Sequence, residues 1–129
     1  MKIAFGVDPG GWELREGVKK HLVELGHEVI DVGTQDMDNA VPYMYVGRNV
    51  AQEVTSGRAD FGVVMCGTGV GISMATNKNK GARCAFCDNY YIARDSRIVN
   101  NANIIALGAT TTSLRMANEM IDVFLSTEW

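Results

Sequence analysis

Short apolar runs alternate with helical patterns along the whole chain, and this alternation restricts the possible folds more than any other feature. The runs predict five strands, at residues 2–6, 28–32, 61–65, 82–86 and 104–107. Helical spacing of apolar residues predicts five helices, at residues 13–25, 46–56, 72–77, 90–99 and 113–126. Strands and helices in strict alternation form right-handed βαβ units around a parallel sheet. We therefore predict an α/β, Rossmann-like three-layer sandwich whose five parallel strands lie in the order 2-1-3-4-5.

Length and charge exclude several classes of protein. The 129 residues predict one domain, spanning 1–129, which is long enough to form a hydrophobic core. The net charge of −3 and the lack of a basic block argue against binding to nucleic acid. No apolar stretch approaches the roughly 18 residues that span a bilayer, and the first residues do not resemble a signal peptide. We expect a cytoplasmic protein without membrane partners.

Three cysteines, Cys66, Cys84 and Cys87, are present. An odd number without regular spacing argues against a disulfide framework and fits a reducing compartment. Cys84 and Cys87 have C-x-x-C spacing, but no second pair follows, and His21 and His27 lie in an unrelated segment. We therefore expect Cys84 to be a small core residue, and we predict neither a metal nor another cofactor.

The run Cys66-Gly67-Thr68-Gly69-Val70-Gly71, here called the Cys66 loop (residues 66–71), follows the third predicted strand. Its glycines allow a sharp turn that exposes backbone amides, and the helix that follows adds partial positive charge. In the predicted sheet, the topological switch point lies between strands one and three, and ligands bind at the carboxyl ends of these strands. Asp8, which follows strand one, is therefore expected near the loop. A thiol beside an anion cradle suits proton transfer with a stabilised negative oxygen. The alternatives are that Cys66 is a core residue and that Asp8 only caps its turn.

Several segments together resemble one protein family. The likeness begins with Met1-Lys2-Ile3-Ala4-Phe5-Gly6-Val7-Asp8 and continues with Glu28-Val29-Ile30-Asp31-Val32-Gly33-Thr34. It includes the Cys66 loop with Ser73 and the later Asn77-Lys78, then Asn100-Asn101-Ala102-Asn103 and Ala106-Leu107-Gly108-Ala109. On these residues the chain resembles the type B ribose-5-phosphate isomerases and the LacA/LacB galactose-6-phosphate isomerases. The resemblance implies aldose–ketose isomerisation through an enediolate, without a metal.

The resemblance also implies roles for individual residues. Cys66 would move the proton between two carbons, and Thr68 would assist through its hydroxyl. Asp8 and Tyr43 would contact the substrate, although the Tyr-Pro order of the family is altered here to Pro42-Tyr43. Asn100 would reach a substrate oxygen from the neighbouring subunit, so that a homodimer or homotetramer is expected. The enediolate oxygens would be held by backbone amides of the loop, namely those of Gly67, Gly69, Val70 and Gly71.

Four departures from the family pattern concern the substrate. Pro9 and Val99 replace histidines, of which the second opens the sugar ring, and Thr110 replaces an arginine. The sequence also ends at Trp129, where the ribose-phosphate isomerases continue into an arginine-rich tail. Three explanations stay open: an acyclic substrate such as a tetrose or tetrulose phosphate, a substrate without phosphate, or a LacB-like subunit that needs a LacA-like partner. In each case we expect weak activity on ribose 5-phosphate.

Two arginines are candidates to replace the cationic groups that the chain lacks, and two functions other than isomerisation are alternatives. Arg97 is a candidate ligand for the substrate's anionic end and Arg94 a weaker one, while the alternative is that both are solvated helix residues. A non-catalytic ligand-binding or partner subunit is the main competing function, favoured by Pro9 and Val99. A flavodoxin-like nucleotide binder is disfavoured because the loop has G-x-G-x-G rather than G-x-G-x-x-G spacing.

Overall fold

Five parallel strands form one sheet in the computed structural model, which describes all residues from 1 to 129. The strands are β1 (Lys2–Val7), β2 (Glu28–Asp31), β3 (Phe61–Cys66), β4 (Cys84–Phe86) and β5 (Ile104–Gly108). Every neighbouring pair is parallel. The predicted α/β, Rossmann-like class is therefore confirmed, and each predicted strand is present within two residues of its expected bounds.

The helices are α1 (Trp12–Glu24), α2 (Tyr43–Thr55), α3 (Val70–Asn77), α4 (Tyr90–Ile98) and α5 (Leu114–Ser126). Short 3₁₀ turns occupy Pro9–Gly11 and Met37–Asn39. Two helices begin at least two residues earlier than predicted: α2 at Tyr43, directly after Pro42, and α3 at Val70. These early starts matter because they put Tyr43 and the end of the Cys66 loop on first helical turns.

The predicted strand order is wrong at one edge of the sheet. The observed order is β2-β1-β3-β5-β4, so β5 lies between β3 and β4. All residues of β5 are buried, as a central strand requires, whereas β4 has three partly exposed residues and suits an edge. The switch point of the sheet still lies between β1 and β3, which are adjacent in both orders. The predicted position of the site, at the carboxyl ends of these two strands, is therefore the same.

Helices cover the sheet on both faces and create two cores. The larger core packs α1, α4 and α5 against one face, with Phe5, Leu107 and Phe124 among its fully buried side chains. The smaller core packs α2 and α3 against the other face and includes Cys66 and Ile72. No helix has the length and apolar character needed to cross a membrane.

Candidate active site

Cys66 is the last residue of β3, and its side chain lies on the α2–α3 face of the sheet. Only 6% of the residue is exposed, at the point where the buried strand gives way to the glycine loop. The amide of Gly69 donates a hydrogen bond to Cys66 Sγ at 3.1 Å. The sulfur therefore has a fixed position and faces a backbone donor, at the end of the sheet where this fold binds ligands.

The turn that follows Cys66 requires glycine at position 69. Gly69 has φ +83°, in the left-handed region that residues with a Cβ atom rarely adopt. A Cβ atom there would also lie 2.7 Å from the ring of Phe86. The loop is held from its other side by β5, because Ala109 N donates to Cys66 O and Thr110 N donates to Gly67 O, both at 2.9 Å.

The Cys66 loop presents backbone donors that have no acceptor within the chain. The amides of Gly67 and Thr68 make no internal hydrogen bond, and those of Gly71 and Ile72 belong to the first turn of α3, where helical partners are lacking. Thr68 Oγ1 accepts from Val70 N at 3.3 Å, so its own hydroxyl proton stays available for donation. These donors can hold a negatively charged oxygen beside the thiol.

Asp8 lies next to the loop, as predicted from the fold class. Its backbone amide donates to Met65 O at 3.2 Å, which ties the end of β1 to β3. In the following turn, a Cβ atom on Gly10 would lie 2.6 Å from Gly67 N, so the two loops are in close contact. Asp8 Oδ1 also caps the 3₁₀ turn by accepting from Gly11 N at 3.1 Å. Burial raises the pKa of Asp8, against the opposing effect of the Gly11 and Gly10 amides.

Tyr43 also reaches the Cys66 loop, despite the altered order of Pro42 and Tyr43. Its ring lies against Gly71, where an added Cβ atom would be 3.1 Å from Tyr43 Cε2. Together they form one end of an open groove of about 430 Å³ between α2 and α3. The structure thus brings Asp8, Tyr43 and the Cys66 loop together.

Of the three substituted positions, Pro9 and Thr110 lie beside the cluster formed by Asp8, Tyr43 and the Cys66 loop, and Val99 lies next to Asn100. Pro9 occupies the first position of the 3₁₀ turn, where its fixed φ is favourable. The Thr110 hydroxyl faces Gly67, 3.6 Å from the position of a Cβ atom there. Val99 is 67% exposed, at the end of α4. None of the three supplies a cation or a proton-transfer group.

Arg97 is buried and lies far from the Cys66 loop of its own chain, and its role as an anion ligand stays a prediction. It is 7% exposed, and its guanidinium carbon lies 4.7 Å from the ring centre of Phe61, at the start of β3. Cys66 is at the other end of that strand, about 16 Å away at the usual strand rise. Arg94, the weaker candidate, is engaged by Asp95 and stacks over Tyr91.

Asn100 is exposed in the turn between α4 and β5, at the amino ends of the strands. Because Ile104 pairs with Gly62 and Gly108 pairs with Cys66, the strands separate Asn100 from the thiol of its own chain. Asn100 can therefore act at a Cys66 loop only if that loop belongs to another copy of the chain.

The other cysteines lie outside the cluster. Cys84 packs against the smaller core and Cys87 belongs to the larger one, so the sheet separates them. Burial raises the pKa of each thiol to about 12, and the charge of Cys87 adds to the effect on Cys84. No group of three or more His, Cys, Asp or Glu side chains is arranged to hold a metal ion.

Phe86 is a residue of the site that sequence reasoning missed. Its ring lies against Gly69, and nothing in the local sequence marks that contact, because Gly69 is in the loop after β3 and Phe86 is in β4, which does not pair with β3. Only the requirement for a left-handed glycine at position 69 hints at a close neighbour.

Comparison with known proteins shows the family. Residues 3–129 match the family described as Ribose/Galactose Isomerase. A ribose-5-phosphate isomerase B from Clostridium thermocellum has a similar structure, with a TM-score of 0.96 and 46% identity, covering 100% of this chain and 86% of that one. The galactose-6-phosphate isomerase subunit LacB of Clostridium acetobutylicum is 40% identical over 100% of this chain and 74% of its own length.

A third relative is the 4-deoxy-4-sulfo-D-erythrose isomerase of Clostridium sp. strain MSTE9. It is 35% identical over 98% of this chain and 80% of its own length. Relatives with different sugars in their names thus share the whole of this fold. The chain belongs to the ribose/galactose isomerase family and is an aldose–ketose isomerase.

Proposed function

We propose that this isomerase moves a proton between neighbouring carbons of a small sugar or sugar phosphate, with Cys66 as the base. The observation that carries the proposal is the position of Cys66 Sγ, 3.1 Å from the Gly69 amide and beside amides that lack internal partners. Removal of a proton next to a carbonyl is slow unless the developing oxyanion meets preorganised donors. The six residues of the Cys66 loop supply both the base, which is the thiol, and the donors, which are the backbone amides.

In the proposed reaction, Cys66 Sγ takes the proton from the carbon next to the carbonyl group. The electron pair of that C–H bond forms the carbon–carbon double bond of an enediolate, and the carbonyl oxygen takes the negative charge. Amides of the Cys66 loop hold that oxygen, and the Thr68 hydroxyl donates to it. The proton of the neighbouring hydroxyl group passes to the former carbonyl oxygen, which leaves the negative charge on the second oxygen. Sγ–H then delivers its proton to the former carbonyl carbon, where the electron pair of the carbon–carbon double bond forms the new C–H bond, and the second oxygen becomes the new carbonyl oxygen. Asp8 orients the substrate hydroxyls.

The groups around the cluster favour a substrate that needs no ring opening. A valine side chain cannot transfer a proton, and Pro9 and Thr110 cannot neutralise a phosphate as histidine and arginine would. A tetrose or tetrulose phosphate is the first class to test, because it cannot close the usual phosphosugar ring. The sulfoerythrose isomerase among the relatives supports a four-carbon skeleton. A sugar without phosphate is the second class, and ribose 5-phosphate is expected to react weakly.

We further propose that the working form is a homodimer or a homotetramer in the cytoplasm. Each pocket needs Asn100 from a neighbouring copy, since the residue cannot reach its own Cys66. Two exposed apolar side chains directly precede Asn100: Ile98 is 48% exposed and Val99 67%. Exposed apolar side chains in one area favour burial against another protein surface.

A second candidate is a LacB-like subunit that works only with a LacA-like chain. The similarity to LacB over the full length of this chain supports it, and so does valine in place of the ring-opening histidine. A non-catalytic paralogue is the remaining alternative. It is less favoured because the Cys66 loop retains its thiol, its hydroxyl and its free amides.

Exchange of carbon-bound hydrogen in deuterated water tests the proposal. The panel contains D-erythrose 4-phosphate, D-erythrulose 4-phosphate, D-ribose 5-phosphate, D-galactose 6-phosphate and the sugars without phosphate, and exchange is followed by NMR. We expect exchange with a four-carbon sugar or its phosphate, and loss of at least about a thousandfold in Cys66→Ala, because the base is removed.

Cys87→Ala is the matched control, since it removes a buried thiol of the larger core, on the other face of the sheet from Cys66. It should keep the exchange rate of the wild-type chain. A fully active Cys66→Ala variant would contradict the role of Cys66, and fast turnover of ribose 5-phosphate would contradict the substrate class. Activity that appears only after addition of a LacA-like chain would favour the second candidate.

A further inference from the structure

Two arginines hold the turn that carries Asn100. Arg97, at the end of α4, donates from Nη1 to Asn101 Oδ1 at 3.2 Å and to Ala102 O, and from Nε to Thr127 O at 3.1 Å. Arg83, which precedes β4, donates from Nε to Asn101 O at 2.7 Å. Both side chains thus contact the turn on the carboxyl side of Asn100, at Asn101 and Ala102.

The turn has a backbone conformation that needs such support. Asn101 has φ +50° and is the single residue other than glycine with a positive φ. A left-handed conformation is unfavourable for a residue with a Cβ atom, although less so for asparagine than for most residues. Such conformations persist where the surroundings determine them, and they concentrate at functional sites.

The environment of Arg97 is costly for a residue that serves packing alone. Its guanidinium lies between Phe61, at 4.7 Å, and Phe124, at 5.7 Å, and it forms no ion pair with a carboxylate. A buried charge held only by neutral partners loses hydration that those partners restore incompletely. Two of its three hydrogen bonds reach the turn, at Asn101 and Ala102, and the third reaches Thr127. The first two give the turn a defined shape.

We propose that Arg97 is a positioning residue that, with Arg83, orients Asn100 for the pocket of the neighbouring subunit. This inference rests on the proposed function, in which Asn100 completes the partner's site. Without the Arg97 side chain, Asn101 and Ala102 lose two of the hydrogen bonds that fix the turn directly after Asn100. A displacement of about 1 Å in a substrate-contacting group can reduce the rate about a hundredfold.

Mixed dimers test this inference because Arg97 and Cys66 of one chain serve different pockets. Two chains with different tags are co-expressed, and dimers carrying both tags are purified. When Arg97→Met is paired with Cys66→Ala, one pocket combines an intact Cys66 with an intact Asn100 turn. Each variant alone should be inactive, and the mixed dimer should recover about half of the wild-type exchange rate, since one of two symmetric sites is complete.

A parallel mixed dimer separates this inference from the proposed function. Asn100→Ala paired with Cys66→Ala should also recover about half of the rate. If that pair stays inactive, the shared pocket of the proposed function is wrong. If it recovers but the pair containing Arg97→Met does not, the positioning role is overturned, because the arginine then acts within its own chain.

An active Arg97→Met homodimer overturns the role as well. The assay uses the panel sugar that the wild-type chain exchanges fastest.

Two further variants keep the test decisive if Arg97→Met folds poorly. Asn101→Gly keeps a positive φ accessible but removes the acceptor of Arg97, so the mixed dimer with Cys66→Ala should again recover about half of the rate. Arg97→Lys keeps the charge without the planar fork that reaches two acceptors, so it should not restore the homodimer. Wild-type exchange by both homodimers would overturn the proposal.

Discussion

Asp8 illustrates, at the scale of a residue, how one side chain serves both structure and the proposed chemistry. It caps the turn after β1 through Oδ1 and lies beside the Cys66 loop. Burial raises the pKa of its carboxyl above the unfolded value of 3.8. The ionised form therefore carries a penalty in the folded chain. We propose that the position compensates for this penalty by allowing contact with substrate hydroxyls.

We predict that Asp8→Asn changes stability and activity in opposite directions. Below pH 3.8 the carboxyl is protonated in both states and the penalty is absent; it grows as the pH rises through the folded pKa and is then constant. Asparagine also caps turns and cannot ionise. The free energy of unfolding of the variant, relative to wild type, should therefore rise with pH, while exchange falls at least about tenfold. Urea titrations between pH 3 and pH 8 measure the free energies of unfolding of both proteins. If the advantage of Asp8→Asn over the wild type becomes smaller as the pH rises, the prediction is refuted.

Arg97 shows why residue roles escape sequence reasoning. The loss of the family's cations at Pro9 and Thr110 makes Arg97 a candidate replacement anion ligand, and a solvated helix residue is the alternative. The side chain instead enters the core between Phe61 and Phe124, which are distant in the chain and adjacent only in the fold. Cys66 differs because its neighbours in the site are also its neighbours in the sequence, so the loop could be predicted in detail.

At the scale of elements, local pattern predicted the strands and helices well but failed for the order of the sheet. Periodicity reports whether a segment is buried, and it predicted all five strands. It does not report which strand pairs with which. The full burial of β5 and the shortness of β4 are the features that put β5 inside and β4 at the edge.

The Cys66 loop gives a prediction at this scale, with a control built into the chain. Gly69 and Gly57 both have φ +83°, but a Cβ atom would meet Phe86 at 2.7 Å in the first case and nothing within 4 Å in the second. Gly57→Ala should cost about 1 to 2 kcal/mol of unfolding free energy and keep the exchange rate of folded protein. Gly69→Ala should cost more and reduce exchange at least about tenfold, because the loop must move. Equal effects of both variants on exchange would contradict the rigid loop.

At the scale of the whole molecule, the two ends of the sheet carry different parts of the proposed pocket. The carboxyl ends present Asp8 and the Cys66 loop, and the amino ends present Asn100 among exposed apolar side chains. A single copy cannot bring them together, because the strands lie between them. Association is thus expected to be a condition of activity.

We predict that Val99→Asp separates the chains and abolishes exchange, since a charge placed in an apolar interface must be buried without a partner. Val23→Asp is the matched control: Val23 is 56% exposed, on the far helix α1, and Val99 is 67% exposed. Analytical ultracentrifugation should show monomers for the first variant and wild-type assemblies for the second. An active monomer would contradict the shared pocket.

The separation of the cysteines has a practical consequence for identifying the ligand. With pKa values of about 12, Cys84 and Cys87 remain almost entirely protonated at neutral pH and resist alkylation. Any adduct formed by a thiol-directed electrophile is therefore expected at Cys66. Protection of that one position by an added sugar would measure occupancy of the pocket without requiring turnover, so the chain contains its own label for ligand screening.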